Sequence, residues 1–91
     1  MKPVNLVALV DDDNVASYIA KNVIEKTHLA EKIKIFNNGK EAIDFLLANA
    51  SQPSSLPEII LLDLNMPVMD GFEFLEEFSK FKPIFEKKIH I

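Results

Sequence analysis

The chain contains neither cysteine nor arginine. Without cysteine there are no disulfides and no thiolate metal sites, a composition that suits a reducing cytosol, so a cytoplasmic location is the expectation. Without arginine the usual fork for phosphate and base edges is missing. All ten basic residues are lysines, and they are scattered instead of forming a stripe. A net charge of −4 points the same way: direct contact with nucleic acid is not expected. Long apolar runs are also lacking. No stretch approaches the roughly 20 residues of a membrane helix, and no membrane association is expected. The apolar opening MKPVNLVALV is cut off by Asp11, Asp12 and Asp13, so it does not read as a signal peptide.

What is present is enough for one small domain. The chain has 91 residues, 48% of them hydrophobic, which supports a core and argues against disorder. No internal repeat or low-complexity tract interrupts it. Residues 1–91 are therefore read as a single domain.

Apolar periodicity gives the element order. Asn5 to Val10 runs apolar and reads as a buried strand. Asn14 to His28 reads as a helix, with Val15, Ile19 and Val23 repeating every four residues and Ala16, Ala20 and Ile24 beside them. Lys32 to Phe36 alternates lysine with apolar residues, the pattern of a half-exposed edge strand. Asn37, Asn38 and Gly39 turn the chain into a second helix from Lys40 to about Asn49, with Ala42 and Leu46 in one row and Ile43 and Leu47 in the next. SQPSSLPE (Ser51 to Glu58) is a loop. Ile59 to Leu64 is the most hydrophobic strand and, lacking polar alternation, reads as covered on both faces. From Gly71 a third helix turns Phe74, Leu75 and Phe78 inward and Glu73, Glu76 and Glu77 outward. After Pro83, Lys88 to Ile91 looks like a fourth strand beginning.

Strands joined by helical crossovers imply a parallel sheet with helices on both faces. All carboxyl ends then share one edge, where open α/β sheets bind ligands. Asp11, Asp12 and Asp63 each fall at the carboxyl end of a strand. Two carboxylates about 4 Å apart repel by roughly 4 kcal/mol at an effective dielectric near 20. A hard divalent cation offsets that repulsion, and magnesium, which prefers a few oxygen ligands plus water and phosphate oxygens, suits the donor set. One of Asp11 and Asp12 would ligate directly and the other through water, with the backbone near Asn65 also in reach. With charge so neutralised, Asp63 becomes an oxygen nucleophile able to form an acyl phosphate. Asp13 and Asp70 read instead as helix caps. His28 reads as a solvated residue at a helix carboxyl end, and His90 as structural.

The two runs LVALVDDD (Leu6 to Asp13) and ILLDLNMPVMDGFEFL (Ile60 to Leu75) resemble the response regulator receiver domain of two-component signalling. The resemblance covers Leu6 to Ile91. It implies a flavodoxin-like, doubly wound parallel sheet of order 2-1-3-4-5. It further implies Asp63 as phosphoacceptor, direct magnesium ligation by Asp12, Asp63 and the Asn65 backbone carbonyl, and an outer role through water for Asp11. The implied partner is a sensor histidine kinase or phosphotransfer protein, and the implied role is signalling, with no catalysis beyond the chain's own phosphorylation and dephosphorylation. The long connection Ala48 to Glu58 is similar to that of stand-alone receivers paired with phytochrome-type kinases.

The chain also departs from the family. A Ser or Thr ending the fourth strand and a Lys ending the fifth are expected beyond Ile91, so the domain is read as incomplete at its carboxyl end, with its sheet face beside the first helix open. Lys87 and Lys88 precede the fourth strand and belong at the opposite sheet edge. Homodimer formation stays open, because the helix and strand that usually mediate receiver pairing would lie beyond Ile91. Two other readings are weighed. One is a phosphorylation-incompetent interaction module, kept alive by the absent Ser/Thr and Lys. The other is an aspartate-nucleophile phosphatase, disfavoured because Asn65 stands where a second aspartate would act as general acid.

Overall fold

A computed structural model describes residues 4–64, 69–85 and 87–91. Three parallel strands, β1 (Val4–Val10), β2 (Ala30–Phe36) and β3 (Ile59–Leu62), alternate with helices α1 (Asn14–Thr27), α2 (Gly39–Ala48) and α3 (Gly71–Phe81). The sheet order is β2-β1-β3, with β1 central. His90 forms a parallel bridge to Ile59, so the expected fourth strand starts beside β3. This is the first part of the 2-1-3-4-5 order that the family resemblance implies.

The strand period of two divides the core. Ala8, Val10 and Ile60 point to the side covered by α2 and α3, where they meet Leu46, Phe74 and Phe78. Val7 and Leu9 point to the other side and meet Ile24 of α1. Phe74 is fully buried, and its ring stacks near Phe78 with centroids 6.1 Å apart. Full burial of one such side chain contributes about 1.5–3 kcal/mol.

Each helix begins with an acidic or amide cap at the carboxyl edge of the sheet. Asp13 accepts from the Val15 and Ala16 amides at 2.9 and 3.2 Å. Asn38 accepts from the Glu41 amide at 2.9 Å. Asp70 and Glu73 form a reciprocal capping box. Helix α1 ends on His28, which sits in the left-handed region with φ 56°, and His28 is exposed.

Of the two apolar rows read on α1, that of Ala16, Ala20 and Ile24 turns toward the sheet, while Val15, Ile19 and Val23 are 68%, 57% and 53% exposed. Small alanines let the helix approach the strands closely, which the bulkier row would prevent. One expectation needs correction: β3 is not covered on both faces, since Ile60 is buried and Leu61 is 47% exposed. That exposure lies on the α1 side, which is the face expected to be open.

At the opposite sheet edge, Glu58 accepts from the Asn5 amide at 2.8 Å, and Lys87 donates to the Leu56 carbonyl at 3.0 Å. Lys87 is thus placed at the beginning of β3, away from its carboxyl end, as the sequence order requires.

Candidate functional site

The site is built at the carboxyl ends of β1 and β3. The Asp11 amide bonds to the Phe36 carbonyl at 3.0 Å and the Asp63 amide to the Val10 carbonyl at 2.9 Å, so pairing continues until each aspartate leaves the sheet. Main-chain pairing thereby places the two aspartates side by side. Asp12, next along the chain, joins them: carboxylate oxygens of Asp11, Asp12 and Asp63 all lie within 4.8 Å of one another. Asp12 is exposed, whereas Asp11 and Asp63 are half-buried.

The electrostatics match this crowding. Desolvation pushes the Asp11 carboxyl above its ordinary value of 3.8, opposed by the hydrogen bond it accepts from the Asp13 amide. The neighbouring Asp63 carboxylate, through its charge and within hydrogen-bonding reach, pushes Asp11 up further. The Asp13 amide meets Asp11 Oδ1 at 2.9 Å, which fixes the orientation of that carboxylate.

An all-oxygen cluster of this kind fits a hard divalent cation such as magnesium, because every donor is a carboxylate and both flanking strand ends stay paired to the sheet. Beside it a cleft of about 330 Å³ runs between α1 and β3, lined by Asp11, Asp13, Ser17, Leu61 and Asp63. Among the described residues, the buried Ser17 hydroxyl makes no hydrogen bond. Nothing in the pattern of α1 singled Ser17 out, since a serine between apolar rows carries no directional signal. Asn65, expected to offer its carbonyl, lies outside the described residues. Asp13 and Asp70 serve as caps, as expected.

Residues 7–88 match the family model of the response regulator receiver domain. The chain belongs to that family. Among curated relatives, response regulator Rcp1 of Synechocystis is 32% identical over 79 residues, covering 86% of this chain and 54% of its own length. A two-component response regulator from Cytophaga hutchinsonii has the same fold, with a TM-score of 0.81 at 31% identity over 90% of this chain and 62% of that one. The receiver domain of the Arabidopsis thaliana histidine kinase CKI1, solved with Mg2+ and BeF3-, gives a TM-score of 0.73 at 29% identity, covering 87% of this chain and 57% of that one. The chain spans about half the length of the first curated relatives it matches. As a receiver it has the flavodoxin-like parallel α/β architecture read from its sequence, and no described helix is long and apolar enough to cross a membrane.

Proposed function

We propose that this receiver accepts a phosphoryl group on Asp63 from a sensor histidine kinase or phosphotransfer protein, in a magnesium-dependent reaction that switches partner binding. The observation that carries the reading is the mutual approach of Asp11, Asp12 and Asp63 within 4.8 Å at the carboxyl edge of the sheet.

Asp63 directly follows β3, with its amide anchored to β1, so its backbone is held in place where a phosphoryl group would arrive. Asp12 and Asp63 would hold magnesium directly, with the Asn65 carbonyl as a further ligand and Asp11 acting through water. Bound there, the cation would neutralise charge on the transferring phosphoryl oxygens. The bond from the Asp13 amide to Asp11 Oδ1 would orient Asp11 for that outer role. In the transfer step an Asp63 carboxylate oxygen forms the new bond to phosphorus, and the bond from phosphorus to the donor's histidine nitrogen breaks. The electron pair of that bond stays with the imidazole. The product carries roughly −1.5 to −2 charge on a residue that carried −1, enough to bias a neighbouring loop or helix.

The test is incubation of the full chain with magnesium and a small acyl phosphate donor, followed by intact mass measurement. The reading expects one added phosphoryl group, absent from Asp63→Asn and absent when magnesium is chelated. Equal labelling of Asp63→Asn would overturn it.

A further inference from the structure

The chain has only two glycines, Gly39 and Gly71, and each opens a helix at the carboxyl edge. Gly71 makes much the closer approach. A methyl group on its Cα would lie 2.6 Å from the Leu64 Cα, 2.6 Å from Leu64 Cδ2 and 2.7 Å from the Asp63 carbonyl oxygen. Ordinary carbon contacts need about 3.5–4.0 Å, and two of these three neighbours are main chain. The Gly71 amide also donates to the Leu64 carbonyl at 3.2 Å. Helix α3 therefore rests its first residue directly on the backbone that follows the phosphoacceptor. At Gly39 the same methyl would meet Met69 Cγ and its carbonyl at 3.0 Å, a tighter-than-usual contact that a flexible side chain partly relieves.

We infer that Gly71 is a positioning residue for the proposed magnesium and phosphoryl site, its bare Cα setting where the Asp63–Leu64 backbone sits. The inference rests on the function proposed above. Asp63 is held on its strand side by the hydrogen bond from its amide to Val10. A side chain at position 71 would press on the Asp63 carbonyl and on Leu64, on the side facing away from that anchor. A site of this kind tolerates about 0.5 Å, and a shift near 1 Å is enough to reduce function by orders of magnitude. The glycine is needed for space alone, since its backbone does not lie at positive φ.

The experiment is a magnesium titration of the full chain by calorimetry and by amide NMR, comparing the unaltered protein with Gly71→Ala, Gly39→Ala and Ile24→Ala. Ile24 is buried near the other end of α1 and serves as a destabilised control without contact to the cluster. Gly71→Ala is expected to weaken magnesium about 10-fold or more, the effect usual for residues that support metal ligands. Gly39→Ala should lose less, and Ile24→Ala should keep its affinity despite a lower melting temperature. Equal affinity in Gly71→Ala and the unaltered chain would overturn the positioning role while leaving the functional reading intact. Failure of the unaltered chain to bind magnesium would overturn both. If Gly71→Ala does not fold, the unaltered chain still decides: with only two glycine amides to follow, the Gly71 resonance should shift on magnesium addition, and an unmoved Gly71 amide beside a shifting Asp11 would refute the coupling.

Discussion

The backbone amide of Asp13 donates to the carboxylate of Asp11 at 2.9 Å, while the Asp13 side chain caps α1. One residue thus orients a cluster carboxylate with its main chain and starts a helix with its side chain. These two roles separate on mutation. Asp13→Ala keeps the amide and loses the cap, so it should lower stability by about 1 kcal/mol in urea unfolding. Magnesium affinity should change little in the same variant, because the bond to Asp11 survives.

The raised Asp11 carboxyl gives a pH dependence with a definite sign. Desolvation first, and the Asp63 charge after it, lift the folded-state value above the ordinary 3.8. The folded chain then binds this proton more tightly than the unfolded chain. Its stabilising contribution is complete below pH 3.8 and is lost as pH rises through the higher folded-state value. In metal-free buffer, Asp63→Asn should weaken that fall in melting temperature by removing the neighbouring charge. Magnesium should bind more tightly as pH rises through the same window, since the proton and the cation compete for Asp11.

Magnesium should also stabilise the fold, by an amount that grows with the logarithm of its concentration above the dissociation constant. At a concentration of 100 times its dissociation constant, the gain is about 2.7 kcal/mol. Thermal unfolding with and without chelator measures it, and an Asp12→Ala/Asp63→Ala double variant should show no such gain.

His28 carries a side chain in the left-handed region at φ 56°. That conformation disfavours residues with a Cβ by about 1–2 kcal/mol, partly offset by the greater unfolded-state freedom of glycine. His28→Gly should therefore raise the urea midpoint, by a net stabilisation of about 0.5–1 kcal/mol. His28 is exposed and at the far end of α1 from the cluster, so phosphorylation should be unaffected.

Phe74 is a core residue from α3 with no exposed surface. Phe74→Ala should cost about 3–5 kcal/mol, a large part of the stability of a domain this size. Chemical denaturation of the variant measures the loss.

Much of this was legible in the order of residues. Element order, the edge character of the lysine-rich β2 and the caps at Asp13 and Asp70 all follow from local pattern and chemistry. So does the meeting of Asp11, Asp12 and Asp63, because a parallel sheet puts every strand's carboxyl end at one edge. The inward face of α1 was not legible, since two adjacent rows were apolar and only packing decides that the alanine row lies against the strands. The contact of Gly71 with the Asp63–Leu64 backbone was equally hidden, because a close approach between segments leaves no periodic trace. Ser17 gave no signal for the same reason: its burial is a property of the helix's docking, with no counterpart in its neighbours.

The central claim is that Asp63 takes the phosphoryl group. Borohydride reduction of the phosphorylated full chain converts an aspartyl phosphate to homoserine, and peptide mapping locates it. The account predicts homoserine at position 63 and nowhere else. Label at Asp11, Asp12 or a histidine, with position 63 still aspartate, would contradict it.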